Sequence, residues 1–185
     1  MTPEQLKASI LQYAIQGKLV EQRAEEGTGE ELYQQIQAEK QRLIAEKKIK
    51  KEKTLVEITE DEIPFDIPES WKWVRLGDCT GYSQTKPKIS PKDITDDMWS
   101  LDLEDIQKES GAILTRTTAS ERKITGDKVL FYKGQVLYSK LRPYLKKILI
   151  APDNGICTPE LVPFNTYLYM QTILCMYCAA HILIM

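Results

Sequence analysis

Residues 133–147 of this chain, K-G-Q-V-L-Y-S-K-L-R-P-Y-L-K-K, carry five basic residues and no acidic one. Two runs of apolar, β-branched and aromatic residues that begin here, 135–138 and 144–150, predict short strands, because such side chains suit a half-buried pleated surface. Pro143 lies between them and has no backbone donor, which favours a turn and keeps Lys140 and Arg142 out of the sheet centre. The stretch therefore predicts a β-hairpin with a positively charged loop.

A local excess of positive charge is what a phosphate-binding site requires. Arginine offers paired donors for base edges or phosphate oxygens, and lysine offers a point charge. The alternative interpretation is a solvated loop flanked by lysines whose apolar stems lie along the surface. Further basic residues lie in polar loops, and the sequence does not show whether they converge with the hairpin. The candidate nucleic-acid-binding residues are Lys133, Lys140, Arg142, Tyr144, Lys146, Lys147, Lys86, Lys88, Arg116, Arg122 and Lys123.

Patterns typical of catalysis are largely missing from the sequence. The one histidine, His181, lies in an uncharged segment, which argues against a Ser-His-Asp or Cys-His site. Neither G-x-x-x-x-G-K-[ST] nor G-x-G-x-x-G occurs, so nucleotide hydrolysis and dinucleotide binding are not predicted. Asp153 and Glu160 lack the neighbouring lysine of a metal-dependent nuclease. We therefore expect a binding protein that contributes no catalytic residue.

A metal site is not predicted either. Cys175, Cys178 and His181 form a C-x-x-C-x-x-H pattern with three potential zinc ligands. A structural zinc site needs four ligands, and Cys79 and Cys157 belong to distant segments. We expect neither a metal nor a cofactor to be bound by this chain.

Charge and composition restrict the class of protein further. The 185 residues have a formal charge of −2, which argues against coating nucleic acid non-specifically but allows a localised basic face. Irregularly placed cysteines and the lack of a signal-peptide pattern suit the reducing cytoplasm. Residues 161–185 carry no charged side chain, but polar residues interrupt them, so no membrane span is predicted.

Two capping boxes predict two N-terminal helices, over residues 3–26 and 29–50. The capping pairs are Thr2 with Gln5 and Thr28 with Glu31. The short connection predicts an antiparallel, coiled-coil-like hairpin, in which each helix has only one narrow apolar stripe. The outer edges of the stripes must then meet the rest of the chain, a second copy or a partner protein. The predicted packing residues are Leu6, Ile10, Tyr13, Gly17, Val20, Leu32, Ile36 and Leu43.

These patterns together predict an α+β chain. The helical hairpin occupies residues 1–53, and residues 54–66, with clustered acids and no periodicity, form a linker. A mixed, β-rich and incomplete domain follows over residues 67–170. An apolar tail of residues 171–185 ends the chain.

Three stretches, in this order, resemble the specificity subunit of type I restriction-modification enzymes. The first is L-K-A-S-I-L-Q-Y-A-I-Q-G-K-L-V (6–20) with E-E-L-Y-Q-Q-I-Q-A-E-K-Q-R-L-I (30–44). The second is I-P-E-S-W-K-W-V-R-L-G-D (67–78). The third covers residues 134–164, where G-Q-V-L-Y-S-K-L-R-P resembles the family's G-D-[IV]-L-x-[ST]-[KR]-x-R-P.

This resemblance implies a DNA-recognition subunit without catalysis of its own. In that family, target recognition domains each read half of a bipartite site in double-stranded DNA, and paired helices hold them apart. Methylation subunits bring S-adenosylmethionine, and restriction subunits bring ATP-driven translocation and cleavage, so S-adenosylmethionine, ATP and Mg are expected in those partners. Lys140 and Arg142 fall on the K-x-R-P positions of the family.

The chain departs from that family in two ways. It has room for less than one complete recognition domain and one hairpin, and residues 171–185 lose the family's character, so we expect a truncated product with an aberrant tail. Pairing with a second copy, to rebuild a two-domain scaffold, is a further hypothesis. The alternative function is a helical-hairpin module that binds a partner protein and not DNA.

Overall fold

Both predicted capping boxes open helices in the structure. Ahead of α1 (Pro3–Ile15), the amide of Gln5 donates to Thr2 Oγ1 over 3.2 Å, and the side chain of Gln5 accepts from the amide of Thr2. Thr28 and Glu31 exchange the same two bonds ahead of α2 (Gly29–Ala45). Each box satisfies two donors that would otherwise lack partners at a helix start.

Both helices end earlier than predicted, so the expected ends near residues 26 and 50 are wrong. Gly17 (φ +67°) follows α1 and Lys47 (φ +58°) follows α2, and both lie in the left-handed region. In each case the next amide donates to a carbonyl five residues earlier over 2.9 Å, which closes the last turn as a Schellman motif. The local closure of the turn overrides the longer apolar pattern.

This computed structural model describes residues 2–169, and the tail of residues 171–185 and its C-x-x-C-x-x-H pattern lie outside that range. The chain divides after Cys79 into two compact units. Residues 67–79 therefore pack with the helices, whereas the sequence predicts that they belong to the β-rich domain. The function of each segment stays a prediction. Within the described range no helix is long and apolar enough to cross a membrane.

In the first unit, α2 packs mainly against a short helix, α3 (Leu76–Cys79). Ile36 is buried, and Lys40 Nζ donates to the carbonyl of Gly77 over 2.9 Å and pairs with Glu52 at 3.2 Å. Gly17 permits a close approach to Pro68, since a Cβ at Gly17 would lie 2.4 Å from Pro68 Cγ.

The predicted coiled-coil packing of the two helices is not confirmed. No described residue of α1 is buried. Of the predicted packing residues, Ile36 is buried, Gly17 and Leu43 are half-buried, and the exposed ones are Leu6, Ile10, Tyr13, Val20 and Leu32. An apolar stripe at helical spacing therefore remains on the surface of the first unit.

Residues 54–66, predicted as a linker, are held to the first unit by Arg75. Its guanidinium donates to both carboxylate oxygens of Glu62, over 2.8 and 2.7 Å, and to the carbonyl of Val56 over 3.0 Å. Hydrogen bonding to Arg75 is the main reason that the pKa of Glu62 falls to about 2. The carboxylate thus stays charged through the range in which most glutamates titrate.

The second unit contains two sheets among its described residues. The strands are β1 (Lys88–Ile89), β2 (Trp99–Leu101), β3 (Thr117–Thr118), β4 (Lys128–Phe131), β5 (Val136–Ser139), β6 (Ile148–Ile150), β7 (Gly155–Cys157) and β8 (Leu161–Phe164). One sheet has the order β1-β4-β7-β2-β3, in which only β2 and β7 run parallel, and the other has the order β6-β5-β8 and is antiparallel. The predicted α+β class is confirmed.

Strand β5 is buried on both faces. Leu137 packs into the larger core with Leu101 and Phe131, whereas the neighbouring Val136 packs into a second core with Phe164. Successive side chains of a strand point to opposite faces, so two separate cores hold one strand. The end of β5 is therefore a fixed point for the loop that follows it.

The predicted hairpin is present with altered limits. The strand expected over 135–138 is β5, shifted by one residue. The strand expected over 144–150 is wrong at its start, because Pro143–Leu145 form a 3-10 turn and β6 begins only at Ile148. Arg142 and Lys146 on either side of that turn are left-handed, which removes them from any extended strand.

Lys47 offers a test of the helix end. Left-handed backbone costs an L-residue free energy that glycine does not pay, so Lys47→Gly is expected to raise the free energy of unfolding by about 0.5 to 1 kcal/mol. Urea unfolding followed by circular dichroism measures the change. Lys51→Gly, at a position where φ is not positive, is the matched control and should lower stability or leave it unchanged. A Lys47→Gly protein less stable than the parent would contradict the assignment.

Candidate nucleic-acid interface

Residues 140–147 connect β5 to β6, and we call residues 140–146 the basic loop. Ser139, the last residue of β5, is buried, and the chain then emerges so that Lys140 and Arg142 are exposed while Lys146 is half-buried. Two large apolar side chains share the loop: Leu141 is 50% exposed and Tyr144 is 64% exposed. The loop thus presents both cations and apolar groups to solvent.

Hydrogen bonds hold the basic loop in one conformation. Ser139 Oγ donates to the carbonyl of Leu141 over 2.7 Å, and the amide of Leu145 donates to the carbonyl of Arg142 over 2.9 Å. Outside the loop, the amide of Glu109 donates to the carbonyl of Leu145 over 3.0 Å. The loop is therefore braced both at its base and at its return to β6.

The backbone of the basic loop is also strained. Arg142 (φ +52°) and Lys146 (φ +51°) are both left-handed, although neither is glycine. Such positions cost roughly 1 to 3 kcal/mol each and persist only where surrounding bonds impose them. Strain of this kind concentrates at binding sites, and here it brackets the turn that carries Tyr144.

The cations of the basic loop have no partner within the described range. Neither an ion pair nor a side-chain hydrogen bond joins Lys140, Arg142 or Lys146 to another described residue. Lys147 differs, because its Nζ donates to the carbonyl of Leu103 over 2.6 Å. The structure thus separates three available cations from one that braces the return of the loop.

Lys133 is exposed but lies at the other end of β5. The four residues of β5, with Gly134 and Gln135 before them, separate it from the basic loop. At roughly 3.3 Å per residue, the strand alone spans about 13 Å. Lys133 therefore belongs to a separate turn, where its amide donates to Asn154 Oδ1 over 2.9 Å.

Lys86 is occupied by its own chain. Its Nζ donates to three backbone carbonyls, those of Gly81 at 2.9 Å, Tyr82 at 2.6 Å and Gln84 at 2.6 Å. It also lies 5.9 Å from the centre of the Tyr82 ring. An ammonium group has three donors, so these bonds give Lys86 a structural role.

Arg122 is likewise engaged, with a side chain only 15% exposed. It donates to Asp102 over 2.8 Å and to Asp105 over 2.6 Å, and Asp102 also pairs with Lys128 at 2.8 Å. Buried charges must be paired in this way, because an isolated one would carry a large desolvation cost. The guanidinium of Arg122 therefore links the segment after β3 to the segment after β2.

Arg116 keeps an exposed guanidinium that is already paired. It donates to Asp153 over 2.8 Å and lies 4.7 Å from the centre of the Trp99 ring. Both members of the ion pair are about half exposed, so the pair itself adds little stability.

The structure does not gather the outlying basic residues into one surface. Lys88 lies on β1, at one edge of the five-stranded sheet, whereas Arg116 and Arg122 flank β3 at the opposite edge. Four strand spacings separate these edges, a distance of about 19 Å. Lys123 is exposed next to Arg122. DNA contact by any of these residues stays a prediction.

Reactive groups in the described part of the chain are few. Burial is the main cause that raises the pKa of Cys157 to about 12 and that of Cys79 to about 11, so both thiols are protonated at neutral pH. Among residues 2–169 no group of three or more His, Cys, Asp or Glu side chains is placed to hold a metal ion. The chemistry that this unit offers through the basic loop is recognition by charge and apolar contact.

Sequence reasoning found the cations of the basic loop but missed its exposed leucine and its left-handed residues. Leu141 is a residue type that is compatible with a strand, so it does not indicate a loop. Only Pro143, two positions later, indicates that the chain has left the sheet. Arginine and lysine carry no preference for left-handed backbone, so no signal was available for Arg142 and Lys146.

Comparison with known proteins relates the chain to one family. Over 94 residues it is 42% identical to the type I restriction enzyme EcoEI specificity subunit of Escherichia coli, a match that covers 51% of this chain and 15% of that subunit. Over 113 residues it is 34% identical to the EcoDI specificity subunit of the same organism, covering 61% of this chain and 24% of that subunit. No protein-family model matches the chain.

A solved structure shares the fold. A chain from work on complex assembly and conformational transition of the type I R-M system superposes with a TM-score of 0.53 at 23% identity, covering 63% of this chain and 31% of that one. The superposed part of this chain therefore shares its α+β fold with that structure. The chain is homologous to the specificity subunits of type I restriction enzymes, and it spans less than a quarter of the length of the curated relatives described above.

Arg122 and its neighbour Lys123 separate a structural cation from an exposed one. Arg122→Ala leaves Asp105 buried without its partner, so the free energy of unfolding is expected to fall by roughly 3 kcal/mol. Lys123→Ala is the matched control and should change it by no more than about 0.5 kcal/mol. Urea unfolding of both variants provides the measurement. Equal, small effects would show that the network around Arg122 does not stabilise the sheet.

Proposed function

We propose that this chain acts in DNA recognition within a type I restriction-modification system, as a non-catalytic specificity subunit or part of one. The observation that carries the proposal is the similarity to specificity subunits, at 42% identity over 94 residues and 34% over 113 residues. The basic loop supplies a physical basis, since its cations have no acidic partner among the described residues. Adenine methylation with S-adenosylmethionine, and the restriction that uses ATP and Mg, would belong to partner subunits in the cytoplasm.

The basic loop suits a duplex because it combines two kinds of contact. Lysine and arginine neutralise phosphates and so supply affinity that depends on salt and not on sequence. Arg142 also has the paired donors that match a guanine edge in the major groove. Because hydrogen bonds brace the backbone of the basic loop, binding costs less conformational entropy than it would for a flexible loop. Affinity and orientation on DNA are therefore both assigned to the loop.

The DNA-binding role predicts a specific response to removal of the two exposed cations. Lys140→Ala with Arg142→Ala should weaken binding to any duplex and should reduce the magnitude of the slope of log K against log salt by about 1.8, since each phosphate contact contributes about 0.9. Fluorescence anisotropy titrations over a range of salt concentrations measure both quantities.

A charge-matched control comes from two exposed lysines outside the predicted interface. Lys7→Ala with Lys92→Ala removes the same charge but should leave the slope and the affinity nearly unchanged, because net charge acts weakly at a distance in salt. If the loop variant behaves like this control, the basic loop is not the DNA contact and the proposed role of this surface is wrong.

Partner binding is assigned to the first unit. Leu6, Ile10 and Tyr13 lie at helical spacing along α1, and each is about half exposed. A helix that exposes such a stripe buries it against another protein surface in an assembly. We assign the methylation subunit as this partner, with the restriction subunit joining the same complex. This surface is also what favours the second candidate function, a module that binds a partner protein without binding DNA.

Co-elution tests the partner assignment. The chain mixed with the methylation subunit of its own host is expected to elute from size exclusion as one complex, and Leu6→Glu with Ile10→Glu should abolish that complex. Ser9→Glu with Gln12→Glu adds the same charge at exposed polar positions of α1 and should preserve it. If the parent chain forms this complex but the complex does not bind DNA, the result would favour the second candidate function. Elution of the chain as a dimer would favour self-association.

A further inference from the structure

The tip of the basic loop is apolar, which phosphate binding alone does not require. Leu141, Pro143 and Tyr144 are all exposed, Leu141 by 50% and Tyr144 by 64%. A site that only neutralised phosphates would gain nothing from these side chains, whose exposure costs free energy in the unbound protein. Their position along the chain, between Lys140 and Lys146, places exposed apolar side chains among the cations of the basic loop.

Hydrogen bonds also hold the tip, formed by Leu141, Pro143 and Tyr144, in a fixed conformation. Tyr144 is the middle residue of the 3-10 turn Pro143–Leu145, and the amide of Lys146 donates to the carbonyl of Pro143 over 2.9 Å. Left-handed residues lie on both sides of the turn, and the bond from the amide of Glu109 to the carbonyl of Leu145 braces it. A fixed tip loses little conformational entropy when it inserts into a binding partner.

We propose that the tip engages duplex DNA at a base step that is opened or unstacked, with the Tyr144 ring stacked on an exposed base. This inference rests on the proposed function and deepens it. Apolar side chains such as leucine and proline act as wedges between base steps, and aromatic rings stack on bases whatever their sequence. Lys140 and Arg142 would hold the phosphates on either side of the opened step.

The chemistry favours DNA over an apolar protein surface as the occupant of the tip. Lys140 and Lys146 flank the apolar side chains along the chain and have no described partner, and lysine is depleted in protein–protein interfaces. A duplex offers both kinds of contact in one ligand: phosphates for the cations and base faces for the ring. An opened step also suits a complex that modifies a base, because such a base must leave the stack.

The test compares two short duplexes of identical sequence, one intact and one with a single abasic site at its centre. The full chain is expected to bind the interrupted duplex about fivefold to tenfold more tightly, as one base–aromatic stack would predict. Tyr144→Ala should abolish this preference, whereas Tyr144→Phe should retain it because the ring is kept. Anisotropy titration at one salt concentration gives each ratio of dissociation constants.

Tyr132 provides the matched control within the second unit. It is also an exposed tyrosine beside a lysine, but it lies on the turn at the other end of β5. Tyr132→Ala should leave the preference unchanged. Equal binding of both duplexes by the parent chain, or a preference that survives Tyr144→Ala, would overturn the inference and leave the proposed function intact. Binding of neither duplex would overturn the proposed function as well.

Discussion

The burial of β5 on both faces is the constraint on which the candidate interface depends. Leu137 fills one core and Val136 fills another, so the strand can neither rotate nor slip without exposing one of them. A shift by one residue would exchange the two faces and transfer each side chain to the wrong core. Because the basic loop begins directly after this strand, its position is determined by packing that lies outside the loop. The loop can therefore contain polar, charged and left-handed residues that would not fix its position without this strand.

The second unit uses basic side chains in two different ways, and the distinction depends on what converges on each ammonium or guanidinium. Lys86 and Arg122 satisfy carbonyls and carboxylates of the fold, whereas Lys140 and Arg142 have no such partners among the described residues. Both groups look alike in sequence, since each lies in a polar loop. The carboxylates that neutralise Arg122 are far from it along the chain and meet it only after the sheet has formed. Counting lysines and arginines therefore overestimates the surface available for a polyanion.

Local signals in the sequence were reliable where the structure depends on local bonds. The capping boxes of Thr2 and Thr28 were predictable because both partners lie within one helical turn. The helix ends were not, because Lys47 gives no sign that it will adopt a left-handed conformation. The apolar spacing along α1 was correctly identified, but its burial was not, since spacing specifies a stripe and not what covers it. Ile36 is buried on a helix whose Gln37 and Lys40 donate to the carbonyls of Asp78 and Gly77, which follow much later in the chain, and no local pattern contains such contacts. In the second unit, the hairpin was predictable from composition, whereas the turn at Pro143 changed the conformation of the very residues expected to bind.

The three carbonyls around Lys86 form what is, in effect, a cation site filled by the chain that builds it. A bound metal ion would leave such a site when its concentration fell, but an ammonium group on a short tether cannot diffuse away. The turn at residues 81–84 should therefore keep its shape whatever ions the solution contains. The same arrangement makes it sensitive to covalent change, because acetylation of Lys86 would remove both the charge and two of the three donors. The conformation of this turn should be insensitive to chelators and sensitive to acylation, unlike that of a turn built around calcium or magnesium.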